Sequence, residues 1–259
     1  MRTTSSKRNI KLTLSYDGTD FFGWQRQGTL HAKERTVQGT IEEALKKIHK
    51  EEVALNGAGR TDTGVHAASQ AANFQTNIGS MESRNFVSAL NSLLPNDIKI
   101  LNAEEMSPDF HARFDAKSRT YRYYFINKKE SYPWEERYAL PIRRNVDITL
   151  LNSYARLLRG EMDFNTFAAS EDREKSTCRY IKNAVFYIEN HKIIFEITAN
   201  AFMRKMVRSI ASTLMDFEAK GLESEYLKDV LNSGDRSLTG PTAPPQGLFL
   251  WKVDYDSIL

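Results

Sequence analysis

Eleven residues, Gly57-Ala58-Gly59-Arg60-Thr61-Asp62-Thr63-Gly64-Val65-His66-Ala67, hold three glycines, an arginine, an aspartate and a histidine with almost no bulk. Glycine lets the backbone turn tightly and lets a ligand approach closely. Two phosphate-binding patterns can be tested against this stretch. A dinucleotide fingerprint starting at Gly57 and Gly59 would need its third glycine where Asp62 stands, and a carboxylate there would repel a pyrophosphate. A P-loop running from Gly59 to Gly64 would need lysine next, and the next residue is Val65. Both patterns fail at the decisive residue. The stretch is then a loop that presents Asp62 as a reactive or binding group, set against the commonest job of an aspartate beside glycine, capping a turn or short helix. His66 has no second ligand at helical or strand spacing, so no metal site is expected.

Basic and aromatic residues surround that loop in the sequence. The segment Phe110-His111-Ala112-Arg113-Phe114 leads into Lys117, Arg119 and Arg122, against the acid Asp115. Arg119, Tyr121, Arg122, Tyr123 and Tyr124 are interleaved on one predicted strand, and Arg204 and Arg208 fall four residues apart on one predicted helix. Aromatic faces for bases and cations for phosphates are the ingredients of RNA recognition on a sheet. Tyr123 and Phe125 read better as core. Arg204 reads equally well as part of a solvated helix face, and Arg208, nearer the apolar boundary, needs an acidic partner.

Composition permits this reading without demanding it. The chain has 259 residues, 27% charged and 41% hydrophobic, with a formal charge of +3, enough for one large domain or two smaller ones. The single cysteine, Cys178, excludes an internal disulfide and any multi-cysteine zinc site, and fits a reducing cytoplasm. The first eight residues lack an apolar core and no run of 18 apolar residues occurs, so neither a signal peptide nor a membrane span is expected.

The elements that must hold these residues follow from periodicity. Ile10, Leu12, Leu14 and Tyr16 alternate as a strand; Val37, Ile41, Ala44, Leu45 and Ile48 make a helix; short strands follow at 53–55 and 70–75. A helix through Phe86, Leu90 and Leu94 and a strand at 98–101 complete β-α-β-β-α-β. The second half repeats the order: a strand at 119–126, a long connection at 128–147, and a helix capped by Asp147. A hairpin around Asn190-His191, a helix from Met203 to Phe217, an extra helix near 227–231 and a strand at 248–255 follow. The expected fold is α+β: two ferredoxin-like (RRM-like) βαββαβ domains, residues 1–109 and 110–259, with mostly antiparallel sheets side by side and a central basic cleft.

These residues also carry a family resemblance. Tyr16–Gln27 (YDGTDFFGWQRQ), Thr36-Val37-Gln38, Gly59–Ala67 (GRTDTGVHA), Asp109–Phe114 (DFHARF), Ser118–Tyr123 (SRTYRY), Met162-Asp163-Phe164, Phe202–Arg208 (FMRKMVR) and Ala243–Leu248 (APPQGL) stand in order over nearly the whole chain. The chain resembles tRNA pseudouridine synthases of the TruA family. The resemblance implies an isomerase (an intramolecular transferase) with Asp62 as nucleophile, Tyr121 stacking on the flipped base, Arg208 paired with the Asp62 carboxylate and Arg60 holding the nucleotide. Arg26, His66, His111, Arg113, Arg119, Arg122 and Arg204 are further candidate RNA contacts. It implies no metal and no other cofactor, a cytoplasmic homodimer, and the anticodon stem-loop of tRNA, positions 38–40, as the target.

Thr63 stands where the family more often has alanine, and Ser212 where glycine is common. The loops 30–35 and 171–178 depart most and would bear on how the anticodon arm is held. A non-catalytic RNA-binding protein of two RRM-like units is the competing reading, and the intact acidic loop counts against it. A nucleotide- or metal-dependent enzyme is disfavoured by Val65 and by the lack of ligand clusters.

Overall fold

The computed structural model describes residues 7–26, 34–169 and 176–256. The chain divides into two compact units, one of residues 1–117 with 250–259 and one of residues 118–249. Mixed α/β structure and mostly antiparallel pairing characterise both. Of the expected loop departures at 30–35 and 171–178, residues 30–33 and 171–175 lie outside the described residues.

The first unit runs β1 (Arg8–Tyr16), α1 (Val37–His49), β2 (Leu55–Gly57), β3 (His66–Thr76), α2 (Asn85–Asn91) and β4 (Ile98–Met106). The sheet order is β4-β1-β3-β2, antiparallel throughout. Alternation in β1 buries Ile10, Leu12, Leu14 and Tyr16. Helix α1 is capped by Thr36, whose side chain accepts from the Gly39 N–H at 3.2 Å. The next unsatisfied N–H groups of its first turn reach out of the helix, Val37 to the Gly23 carbonyl (3.2 Å) and Gln38 to the Trp24 carbonyl (2.9 Å). The loop before α1 is thereby fastened to the helix end.

Three strands of this unit differ from the sequence reading, β4 by running on to Met106 where a strand at 98–101 is expected. β2 lies two residues later than expected and runs straight into the glycine-rich loop. β3 starts at His66 instead of residue 70, because Ala67, Gln70, Ala71, Ala72 and Asn73 are buried in an interior strand paired on both edges. Such a strand needs no polar alternation.

The second unit contains β5 (Ser118–Asn127), β6 (Leu140–Ile142), α3 (Ile148–Leu157), β7 (Gly160–Asp163), β8 (Cys178–Glu189), β9 (Lys192–Ala199), α4 (Met206–Ala219) and α5 (Glu225–Ser233). Its strands pair in the order β5-β9-β8-β7, antiparallel, with β6 parallel to the end of β5. Asp147 caps α3, its Oδ1 accepting from Thr149 and Leu150 N–H at 2.8 and 3.1 Å. Asn190 and His191, with φ of 46° and 59°, form the two-residue turn between β8 and β9. The core holds Tyr123, Phe125, Phe186, Phe195, Tyr154 and Phe217. The last strand, β10 (Leu248–Asp254), starts in the second unit and ends in the first.

α4 corrects one expectation. Lys205 takes a left-handed conformation (φ 59°) and the helix begins only at Met206, so Arg204 sits in the preceding turn. Arg204 and Arg208 therefore do not share a helix face. The short strands β6 and β7 were not expected; three or four residues are too few to display an alternation.

Candidate active site

Asp62 lies at the turn between β2 and β3, half-buried, with Arg60 and Thr63 exposed on either side of it. The loop is closed from within by Val65 N–H to the Asp62 carbonyl (3.2 Å). It is anchored at its base by Ala58 N–H to the Ala71 carbonyl (2.8 Å) and by Gln70 Nε2, which donates to the Gly59 carbonyl at 2.9 Å. Gly64 takes a φ of 75°, the left-handed region where a side chain would be strained.

The aromatic segment after β1 wraps this loop. Trp24 N–H donates to the Thr61 carbonyl (3.1 Å), and Gly64 N–H donates to the Phe21 carbonyl (3.3 Å). The Tyr16 hydroxyl shares a 2.8 Å hydrogen bond with Thr61 Oγ1. The approach is close enough to require glycine at three positions. A Cβ at Gly18 would overlap the Val65 carbonyl, and one at Gly57 would collide with the Trp24 indole. One at Gly23, where φ is 80°, would lie 2.6 Å from the Thr61 carbonyl oxygen. Phe21 and Trp24 are buried, so the wrapping segment is itself rooted in the core.

His66 is fully buried. Its Nδ1 lies 3.0 Å from the Gly18 amide and 3.1 Å from Asp17 Oδ1. A backbone amide always carries its hydrogen, so Nδ1 accepts from Gly18, while Asp17 Oδ1 is occupied by the Thr19 amide and hydroxyl at 3.0 and 2.6 Å. Among the described residues no group of three or more His, Cys, Asp or Glu side chains has metal-holding geometry.

In the second unit, Tyr121 lies on the same face of β5 as Tyr123 and meets the Phe202 ring edge-on at 5.2 Å. Arg208 Nε donates to the Ala243 carbonyl at 2.7 Å, and Ala243 N–H returns to the Arg208 carbonyl at 3.3 Å. The Tyr123 hydroxyl donates to the next carbonyl, that of Pro244, at 2.8 Å. A Cβ at Gly247 would stand 2.8 Å from the Tyr123 ring. Burial pushes the Tyr123 phenol far above its ordinary pKa, with the Arg208 charge opposing. The segment Ala243–Leu248 is thus a brace that fixes Arg208 against Tyr123. Ser212, one turn along α4, donates its hydroxyl to the Pro241 carbonyl and ties the helix to the start of that brace.

Three of the expected RNA contacts have hydrogen-bond partners within the chain. His66 accepts from the Gly18 amide. Arg119 is nearly buried and donates to the Asn200 carbonyl at 2.9 Å. Arg122 donates to Glu196 at 2.7 Å across the β5–β9 pair. Arg26, Arg113 and Arg204 are exposed, and His111 is half-buried.

A family model described as tRNA pseudouridine synthase matches residues 13–115 and 154–256. The chain belongs to the tRNA pseudouridine synthase family. It is 53% identical over 256 residues to tRNA pseudouridine synthase A of Treponema denticola, covering 98% of this chain and 96% of the relative. It is 43% identical over 248 residues to tRNA pseudouridine synthase A of Caldicellulosiruptor bescii, covering 96% and 100%. It is 41% identical over 248 residues to tRNA pseudouridine synthase A 2 of Clostridium perfringens, again covering 96% and 100%.

For a tRNA pseudouridine synthase, which isomerises uridine in tRNA, the loop has a suitable form: a half-buried aspartate on a backbone tied to the surrounding segment. The residues that hold the Asp62 loop in place are not marked by its own sequence. Gly18, Gly23, Tyr16 and Trp24 stood in a recognised motif, yet nothing local in that motif says which other loop it wraps. The glycine of a Gly-Trp pair beside aromatics was the available signal.

Proposed function

We propose that this synthase converts uridine to pseudouridine in the anticodon stem-loop of tRNA, at positions 38–40, with Asp62 as the nucleophile. The reaction breaks the N1–C1′ bond, turns the uracil, joins C5 to C1′ and releases the C5 proton. The base must leave its stack before any group reaches it. A carboxylate serves this chemistry by adding to the base or to the sugar, or by stabilising the positive charge that develops on the ribose. Tyr121 stacks on the flipped base, Arg208 pairs with the Asp62 carboxylate and keeps it ionised and aimed, and Arg60 steadies the nucleotide. Arg26, His111, Arg113 and Arg204 meet the RNA. The enzyme works as a cytoplasmic homodimer without metal or other cofactor. Its domains are two ferredoxin-like units, residues 1–109 and 110–259, in line with the β4-β1-β3-β2 order near one end and β5-β9-β8 in the other.

The observation that carries this reading is the Asp62 loop, a half-buried aspartate in a turn held by the backbone of Phe21 and Trp24 and by the Tyr16 hydroxyl. The test treats unmodified tRNA transcripts with wild type and with Asp62→Ala, then maps pseudouridine by carbodiimide labelling and primer extension. Stops in the anticodon arm with wild type, and none with a variant that still binds tRNA, are expected. Wild-type protein that binds tRNA yet leaves no pseudouridine would refute it.

A further inference from the structure

Phe114 has 73% of its surface open, more than any other large hydrophobic side chain among the described residues. Nothing about its backbone is loose. Asn9 Nδ2 donates to the Phe110 carbonyl at 2.8 Å, and Ala112 N–H donates to Asn73 Oδ1 at 2.9 Å. Phe110 and Ala112 are buried with Ala58 and Ala71. The next turn is closed by His111 N–H to Asp115 Oδ2 (2.8 Å), by Asp115 N–H to the His111 carbonyl (3.1 Å) and by Arg113 N–H to His111 Nδ1 (3.1 Å). The His111 ring backs Phe114 with centroids 4.3 Å apart, and the Arg113 guanidinium lies 5.8 Å from the Phe114 ring. A phenyl ring is held out in water by a turn built to hold it there.

Chemistry narrows what covers it. Arg113 and Lys117 are exposed on the same short segment, and the one acid between them, Asp115, is engaged with the His111 amide. An aromatic face beside cations suits a partner with flat π faces and a negative backbone. A second copy of the chain fits less well, since a stable protein interface buries about 800 Å² per partner and one ring supplies a fraction of that. We propose that Phe114, backed by His111 and flanked by Arg113, is a stacking platform for an unpaired tRNA base other than the reacting uridine. This rests on the tRNA-isomerase reading and assigns it a residue that contributes to substrate affinity, not to the chemical step.

The test compares Phe114→Ala, Phe114→Trp and Arg113→Gln with wild type on one tRNA transcript, by equilibrium binding over a range of salt and by steady-state pseudouridine formation. Phe114→Ala is expected to raise Kd and KM about 5- to 100-fold, with kcat within about twofold of wild type and the thermal midpoint unchanged. Phe114→Trp restores both constants. The salt slope of binding stays the same for Phe114→Ala and falls by about one for Arg113→Gln. Wild-type Kd and KM in Phe114→Ala would overturn the proposal, as would a change in its oligomeric state by light scattering, which would mean that the ring covers a second copy. Wild-type protein that makes no pseudouridine would defeat the activity reading, and the binding arm would still decide the role of Phe114.

Discussion

The glycines around Asp62 matter for what they leave room for. Gly23 combines a φ of 80° with a would-be Cβ 2.6 Å from the Thr61 carbonyl, so any side chain there displaces the loop that carries the carboxylate. Gly23→Ala is expected to cost about 1–3 kcal/mol in backbone strain and lower the thermal midpoint by about 2–10 °C. It should also lower kcat at least tenfold, by about 1.4 kcal/mol or more of transition-state stabilisation, while tRNA affinity holds. Gly79→Ala, where a Cβ meets nothing within 4 Å, is the control for a glycine change alone. Asp62→Asn completes the comparison: it keeps the shape and the melting temperature and loses activity, read by single-turnover pseudouridine formation. A Gly23→Ala enzyme with wild-type kcat would show that the wrapping segment does not aim Asp62. At this scale the loop that carries Asp62 is legible in the sequence and its support is not. Residue type and spacing point to Asp62, whereas the contact of Gly23 with Thr61 joins positions 38 apart in sequence.

Elements with full turns or full alternation announce themselves. β1 and α1 each present an unbroken apolar series, and Asp147 stands immediately before the series of α3. The Asp147 carboxylate accepts two amide hydrogens there, so Asp147→Ala is expected to destabilise the second unit by about 1 kcal/mol, lowering the thermal midpoint by about 2–4 °C. Activity at 25 °C should be unaffected. Denaturant titration of the variant checks the figure, and an unchanged midpoint would mean that water replaces the cap at no cost. Short elements stay silent: β6 and β7 exist because neighbouring strands offer unpaired backbone groups, not because their own residues demand extension. The start of α4 is hidden in the sequence for a related reason. Met203 and Met206 fit a helical stripe, but the left-handed Lys205 breaks the helix between them.

At the scale of the molecule, the end of the chain returns to the unit where it began. Tyr255 packs on Phe110 with ring centroids 5.1 Å apart, donates its hydroxyl to the Ala112 carbonyl at 2.8 Å and lies 4.6 Å below the Lys11 ammonium. The cluster it covers includes Ala58 and Ala71, whose backbones bond to each other at the base of the Asp62 loop. Tyr255→Phe is expected to cost about 1 kcal/mol through the lost hydrogen bond. Tyr255→Ala should cost more, about 1–3 kcal/mol, and speed amide exchange across residues 57–71. Hydrogen exchange by mass spectrometry reads this directly; unchanged exchange there would separate the chain end from the loop.

Taken alone, the sequence determined the α+β class, the order of the long elements, the glycine-rich loop that presents Asp62 and, through motifs spread over the whole chain, the family. Those properties live in short-range pattern: period two, period 3.6, a cap, a run of glycines. The tertiary structure decided which loop embraces Asp62, which partners His66, Arg119 and Arg122 find within the chain, that Ala243–Leu248 braces Arg208, and that Phe114 is left in water. Each depends on what lies across the sheet or under the loop, and burial and partner choice are fixed by distance in space, which no local spacing encodes.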